Sequence, residues 1–102
     1  MPLLIDNYSG EHYTTPAENY YKHNGGTINV DIYGNLGTGQ INFETSPDSG
    51  VSWVILDLET DGTPAIFTGQ KSTIIEGMSF GNLLRANFTG GTAVNLNVKV
   101  ST

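Results

Sequence analysis

The stretch Asp57-Leu58-Glu59-Thr60-Asp61-Gly62 carries side-chain oxygens at alternate positions and glycine at the sixth, the opening of a calcium-binding loop. Its twelfth position is Thr68, where such a loop needs a bidentate glutamate, so the stretch reads instead as a solvated strand end followed by an Asp-Gly turn. His12 and His23 stand eleven residues apart with no cysteine and no HxH spacing. Only folding or symmetry across subunits can build a metal site from such a pair, and both read as surface histidines. Ten acidic residues hold the raw material of a glycosidase carboxylate pair, but no spacing selects two of them. No GxSxG, no HExxH and no glycine-rich phosphate loop opening a helix occurs. The expectation is a chain with no catalytic, cofactor-binding or metal-binding residue, and not an enzyme.

The other distinctive stretch is a turn. Gln40 to Thr45 alternates, with Ile41, Phe43 and Thr45 on one face and Gln40, Asn42 and Glu44 on the other, the period of a half-buried strand. Ser46-Pro47-Asp48-Ser49-Gly50 then supplies a fixed φ at Pro47, a hydrogen-bond acceptor at Asp48 and a positive-φ option at Gly50, which reverse the chain. From Ser52 the chain resumes as a strand with Trp53 and Ile55 on one face and Val54, Leu56 and Leu58 on the other. Apolar residues on both faces predict a central strand, with Trp53 its largest core residue. Ser46, Asp48, Gly50 and Trp53 form the pattern SxDxGxxW, which resembles the Asp-box hairpin of sialidase-type propellers and of many other β proteins. The resemblance covers eight residues of 102. It implies structural roles: Asp48 and Ser46 pin the turn and Trp53 packs beneath it. One box in a chain this short is too little for a propeller, which needs about four or more blades.

Length allows one domain and one core. Thirteen glycines, abundant Thr, Asn, Ile and Val, and 14% charged residues describe strands joined by tight turns. Four basic residues (Lys22, Lys71, Arg85, Lys99) against ten acidic ones give a formal charge of −6, which argues against nucleic acid as a partner. The absence of cysteine removes a disulfide scaffold and a thiolate metal site. Met1 to Asp6 has no basic lead and an apolar run of only three residues, so no signal peptide is expected there, and no stretch approaches the ~20 apolar residues of a membrane span. The sequons at Asn7 and Asn87 are read as chance.

Residues 1–26 hold four of the five tyrosines (Tyr8, Tyr13, Tyr20, Tyr21), both histidines and no sustained period, and read as an extended N-terminal arm packed on the domain or on a neighbour. Those tyrosines are the candidate interface, since tyrosine gives rigid amphipathic contact area. Residues 27–102 read as the domain proper. Ile28, Val30 and Ile32 alternate against Asn29, Asp31 and Tyr33, and with the two strands around the turn they predict a three-stranded meander over 27–59. Short strands over 65–68 and 72–76 suit a sheet edge. Leu84, Ala86 and Phe88 alternate with Arg85 and Asn87, which sets Arg85 outward to pair with a neighbouring carboxylate. Val94, Leu96, Val98 and Val100 share a face of the final strand. About seven strands with turns every eight to twelve residues predict a single all-β antiparallel β-sandwich, immunoglobulin-like or jelly-roll-like.

The run from Gly26-Thr27-Ile28-Asn29-Val30 through Ile41-Asn42-Phe43-Glu44-Thr45-Ser46-Pro47-Asp48-Ser49-Gly50, Trp53, Leu83-Leu84-Arg85-Ala86 and the alternating last strand resembles small β-sandwich virion proteins of tailed phages. The resemblance implies a non-enzymatic structural protein of the virion, made in a host cytoplasm and decorating a capsid, often as a trimer. Its partners would be the major capsid protein or another virion protein and further copies of itself, with no cofactor, nucleic acid or membrane. Removing residues 1–22 is then expected to leave a folded domain that no longer assembles. The alternative is a carbohydrate-binding or host-adhesion module, in which exposed tyrosines stack on sugars.

Overall fold

The computed structural model describes residues 3–56, 63–75 and 78–101, and the Asp57 to Gly62 stretch with calcium-loop spacing lies outside them. Four long strands carry the alternation: β4 (Ile28–Asn35), β5 (Gln40–Ser46), β9 (Leu83–Thr89) and β10 (Ala93–Ser101). Ile28, Val30 and Ile32 on β4, Ile41 and Phe43 on β5, Leu84, Ala86 and Phe88 on β9, and Leu96, Val98 and Val100 on β10 are all buried. A sheet with one apolar face must cover it, and here two antiparallel sheets cover each other.

Around these lie β1 (Leu3–Gly10), β2 (Tyr13–Thr14), β3 (Tyr21–Lys22), β6 (Val54–Ile55), β7 (Ile66–Phe67) and β8 (Lys71–Ile75). The first sheet runs β1-β10-β4-β8 and the second β2-β9-β5-β6. β3 pairs with β9 on the flank that β2 occupies, and β7 pairs with β5 on the flank of β6, because β9 and β5 bond each other along their other edges. Each of these pairs of short strands therefore fills one strand position. Counted so, the described residues pass through eight positions, which pair first with last, second with seventh, third with sixth and fourth with fifth. That nesting is a long hairpin ribbon rolled over on itself, so of the two sandwich types expected the fold is the jelly roll.

Three departures from the sequence reading concern the long strands. Residues 3–26 are not an arm, and the sandwich begins at Leu3. β1 is an edge strand of the first sheet, opposite β10, with Leu4 and Ile5 wholly buried. Its period was hidden because the register slips between Leu3 and Ile5, between Ile5 and Tyr8, and between Tyr8 and Gly10, with Asn7 at φ 49°. Bulges of this kind break the alternation that marks a strand. Second, no meander spans 27–59: β4 and β5 lie in different sheets, and only β5 and β6 form a hairpin. Third, Val94 is exposed while Ala93 and Leu96 are buried. Asn95 at φ 52° inserts a bulge there, and Gly34 faces it across the sheet at φ 107°, where a Cβ would come within 2.1 Å of the Asn95 carbonyl oxygen.

Thr15, just after β2, ties the two sheets together from inside. Its amide donates to the Ala86 carbonyl at 3.0 Å, and its hydroxyl accepts from the Ala86 amide at 3.0 Å. Because the Ala86 carbonyl is already engaged, the hydroxyl proton serves the Leu4 carbonyl, 2.9 Å away on β1. The side chain is buried, so Thr15→Val, which keeps the shape, strands an amide and a carbonyl without partners. This variant is expected to lose about 1–3 kcal/mol of unfolding free energy in urea titrations. Removal of residues 1–22, which deletes Leu4, Ile5 and Thr15 together, is expected to give an unfolded chain with collapsed amide dispersion in NMR spectra and not an intact domain.

Candidate functional site

The hairpin joining β5 to β6 is pinned by its own side chains. The Ser46 hydroxyl, fully buried, donates to Asp48 Oδ1 at 2.9 Å and accepts from the Gly50 amide at 2.8 Å. Asp48 Oδ1 also accepts from the Ser52 amide at 2.7 Å, while Ser49 (φ 64°) and Gly50 (φ 96°) turn the chain through left-handed geometry. Ser46 and Asp48 thus hold the turn as the sequence pattern predicts. The Ser52 backbone amide, then the Ser52 hydroxyl and, more weakly, the Ser46 hydroxyl stabilise the charged form of Asp48 and hold its carboxyl below the usual aspartate value.

Trp53 closes the turn but is not in the core. Its Nε1 donates to the Gly50 carbonyl at 3.2 Å, and its ring lies half-buried on the outer face of the second sheet. There it meets Tyr20 edge-on at 4.8 Å, with the Arg85 guanidinium 4.2 Å from the ring centre. Arg85 stands directly opposite Glu44 and bonds it at 2.7 Å, the carboxylate partner expected for an outward arginine. The strand after the turn is not central either. β6 is two residues long at the flank of its sheet, where no further strand among the described residues covers it, and Val54 and Ile55 are exposed although both faces read as apolar. Val51 on the turn is 82% exposed. Phe80, 73% exposed, stands at the same end, since its loop exchanges two backbone bonds with His23 and runs into Leu83, the partner of Ser46.

The other candidate interface tyrosines are spent on the protein's own fold. Tyr8 and Tyr13 meet at 4.8 Å, and together with Tyr21 they pack half-buried against the core. Burial first, then the charges of Glu18 and Asp6, pushes the Tyr13 phenol above its usual value. So Tyr20 alone joins the hairpin residues, and the arm tyrosines are not displayed on a free segment. The most exposed tyrosine is the fifth, Tyr33, on the outer face of the first sheet. Its alternation opposite Ile32 was the signal, outweighed by the count of tyrosines in residues 1–26. His12 is exposed as expected, but His23 is buried, drawn inward by its backbone bonds to Gly81 and Asn82, with Nδ1 left without a partner.

Among the described residues no group of three or more His, Cys, Asp or Glu side chains converges as a metal site would, and no helix is long and apolar enough to cross a membrane. Comparison with protein-family models, with curated proteins and with solved structures finds no match.

Two measurements check the hairpin. Ser46→Ala leaves the Gly50 amide without its partner and is expected to lower the unfolding free energy by about 1–3 kcal/mol in urea titrations, with the emission of Trp53 changed in the native state. Asp48 carries a depressed folded-state value, so its contribution is complete above the unfolded-state value of about 4 and is lost as pH falls toward the lower folded value. Asp48→Asn is therefore expected to flatten the acid limb of the stability profile below about pH 4 and to leave its shape above that unchanged.

Proposed function

We propose that the protein is a non-enzymatic structural subunit of a phage virion, decorating and stabilising the capsid as a trimer. The hairpin end of the second sheet is the contact surface. One observation carries this reading: Val51, Val54, Ile55 and Phe80, all large and all exposed, stand at one end of the sandwich on a turn held by its own hydrogen bonds. Exposed apolar residues scattered singly need no explanation, whereas a group at one end marks a surface that another protein covers. A turn already held in place loses little freedom on docking, which leaves more of the burial as net affinity. Beside it the Trp53, Tyr20 and Arg85 stack offers the residue types that dominate protein interfaces. The formal charge of −6 keeps the free subunit soluble until it docks.

This replaces the N-terminal arm with the hairpin as the assembling element. The wild-type protein is expected to scatter light as a trimer and to sediment with capsid shells assembled without it. The variant Val54→Lys, Ile55→Glu is expected to be a monomer that leaves shells bare, with an unchanged urea midpoint because both positions are exposed. A wild-type monomer that ignores such shells overturns the proposal, and so does a double variant that still decorates them.

A further inference from the structure

The outer face of the first sheet holds an open groove of about 600 Å³, lined by residues that include Asp31, Tyr33, Gln70, Lys71, Ser72 and Lys99. It lies on the opposite layer from the hairpin patch and owes nothing to it. That volume falls within the range of small-molecule sites. Its lining has an order set by strand register. Asp31 on β4 stands between Ser72 on β8 and Lys99 on β10, directly opposite both. Tyr33, two residues further along β4, is 43% exposed and sits on the same face, since side chains two apart on a strand share a face.

The polar groups are held with defined vacancies for a ligand. Ser72 Oγ donates to Asp31 Oδ1 at 2.6 Å, which fixes the carboxylate and leaves its remaining lone pairs to accept. Gln70 Oε1 accepts from the Gly34 amide at 3.2 Å, which turns its NH₂ to donate. Among the described residues Lys99 has no ion-pair partner, so its ammonium is free to donate. A carboxylate that only accepts therefore stands across from an ammonium that only donates, beside an exposed aromatic ring. Neighbouring sugar hydroxyls each donate one hydrogen and accept others, so they match such a pair, and the C–H face of a pyranose ring matches the face of a tyrosine. Lys71 lines the groove as well, so two ammonium groups stand against the one carboxylate and the lining carries one net positive charge, which accepts a ligand carboxylate as readily as a neutral sugar.

We propose that this groove is a binding site for a hexopyranoside, the ring stacking on Tyr33 and adjacent hydroxyls bridging Asp31 and Lys99, with Gln70 as a further donor. The site is independent of assembly through the hairpin and survives or fails without it. The test uses the full chain labelled with ¹⁵N, titrated with the methyl glycosides of glucose, galactose and mannose and, as the charged counterpart, methyl glucuronoside. At least one of these glycosides is expected to give saturable amide shifts confined to Asp31, Tyr33, Gln70, Ser72, Lys99 and their neighbours. Tyr33→Ala is expected to weaken it by about tenfold or more, whereas Tyr33→Phe, which keeps the ring face, stays within about threefold of wild type. Should Tyr33→Ala fail to fold, Gln70→Ala in the loop before β8 carries the same expected loss. Absence of saturation with every glycoside, shifts centred on the second sheet, or binding indifferent to these substitutions each overturn the proposal.

Discussion

β1 and β10, from opposite ends of the chain, bond each other along the first sheet, with Leu3 opposite Lys99 and Gly10 opposite Ala93. Every other pair of strand positions nests inside this one, so the contact that lies farthest apart in sequence is also the one that closes the roll. It carries Leu4 and Ile5 into the core and holds the Leu4 carbonyl where the Thr15 hydroxyl can reach it from the second sheet. Loss of that pairing leaves the inner face of β10 bare along one edge and removes the partner of a buried hydroxyl. Apolar burial and polar satisfaction thus depend on the same strand.

The two outer faces put side chains to different use. On the second sheet the hairpin spends its polar groups on itself: Ser46, Asp48 and the Ser52 amide close a ring of bonds that fixes where Trp53, Val51 and Val54 stand. The rigidity is electrostatic and local, and the residues it presents are apolar or aromatic. On the first sheet the strands themselves are the rigid element. Their register sets Asp31 across from Lys99 and Ser72, and the groups presented are polar around one aromatic ring. A surface of the first kind suits a broad protein contact, and one of the second kind suits a small ligand with its own donors and acceptors.

The inward faces of four strands were legible in the sequence, because a strand buried on one side must alternate and Ile28, Val30, Ile32, Ile41, Phe43, Leu84, Ala86, Phe88, Leu96, Val98 and Val100 do so. The turn at Ser46 to Gly50 was legible for a related reason: its bonds join residues no more than four apart, so the pattern contains both partners of each. The outward setting of Arg85 followed from the same alternation.

The remaining features depended on partners distant in sequence. β1 carries bulges that break its period, and it is a strand only because β10 lies beside it. Both faces of the Trp53 strand are apolar, which reads as core, yet the ring falls on the outer face of the second sheet beside Arg85 and Tyr20, where no described strand covers it. Alternation has the same period in either sheet, so it could not tell that β4 and β5 belong to different layers, nor choose between two sandwich types. It set Tyr33 outward opposite Ile32 but gave no sign of where the tyrosines of residues 1–26 point, since that stretch keeps no sustained period. Local spacing determined which side chains turn inward and how the hairpin closes; only the tertiary structure decided which strands meet, because long-range pairing is set by burial of the whole chain at once.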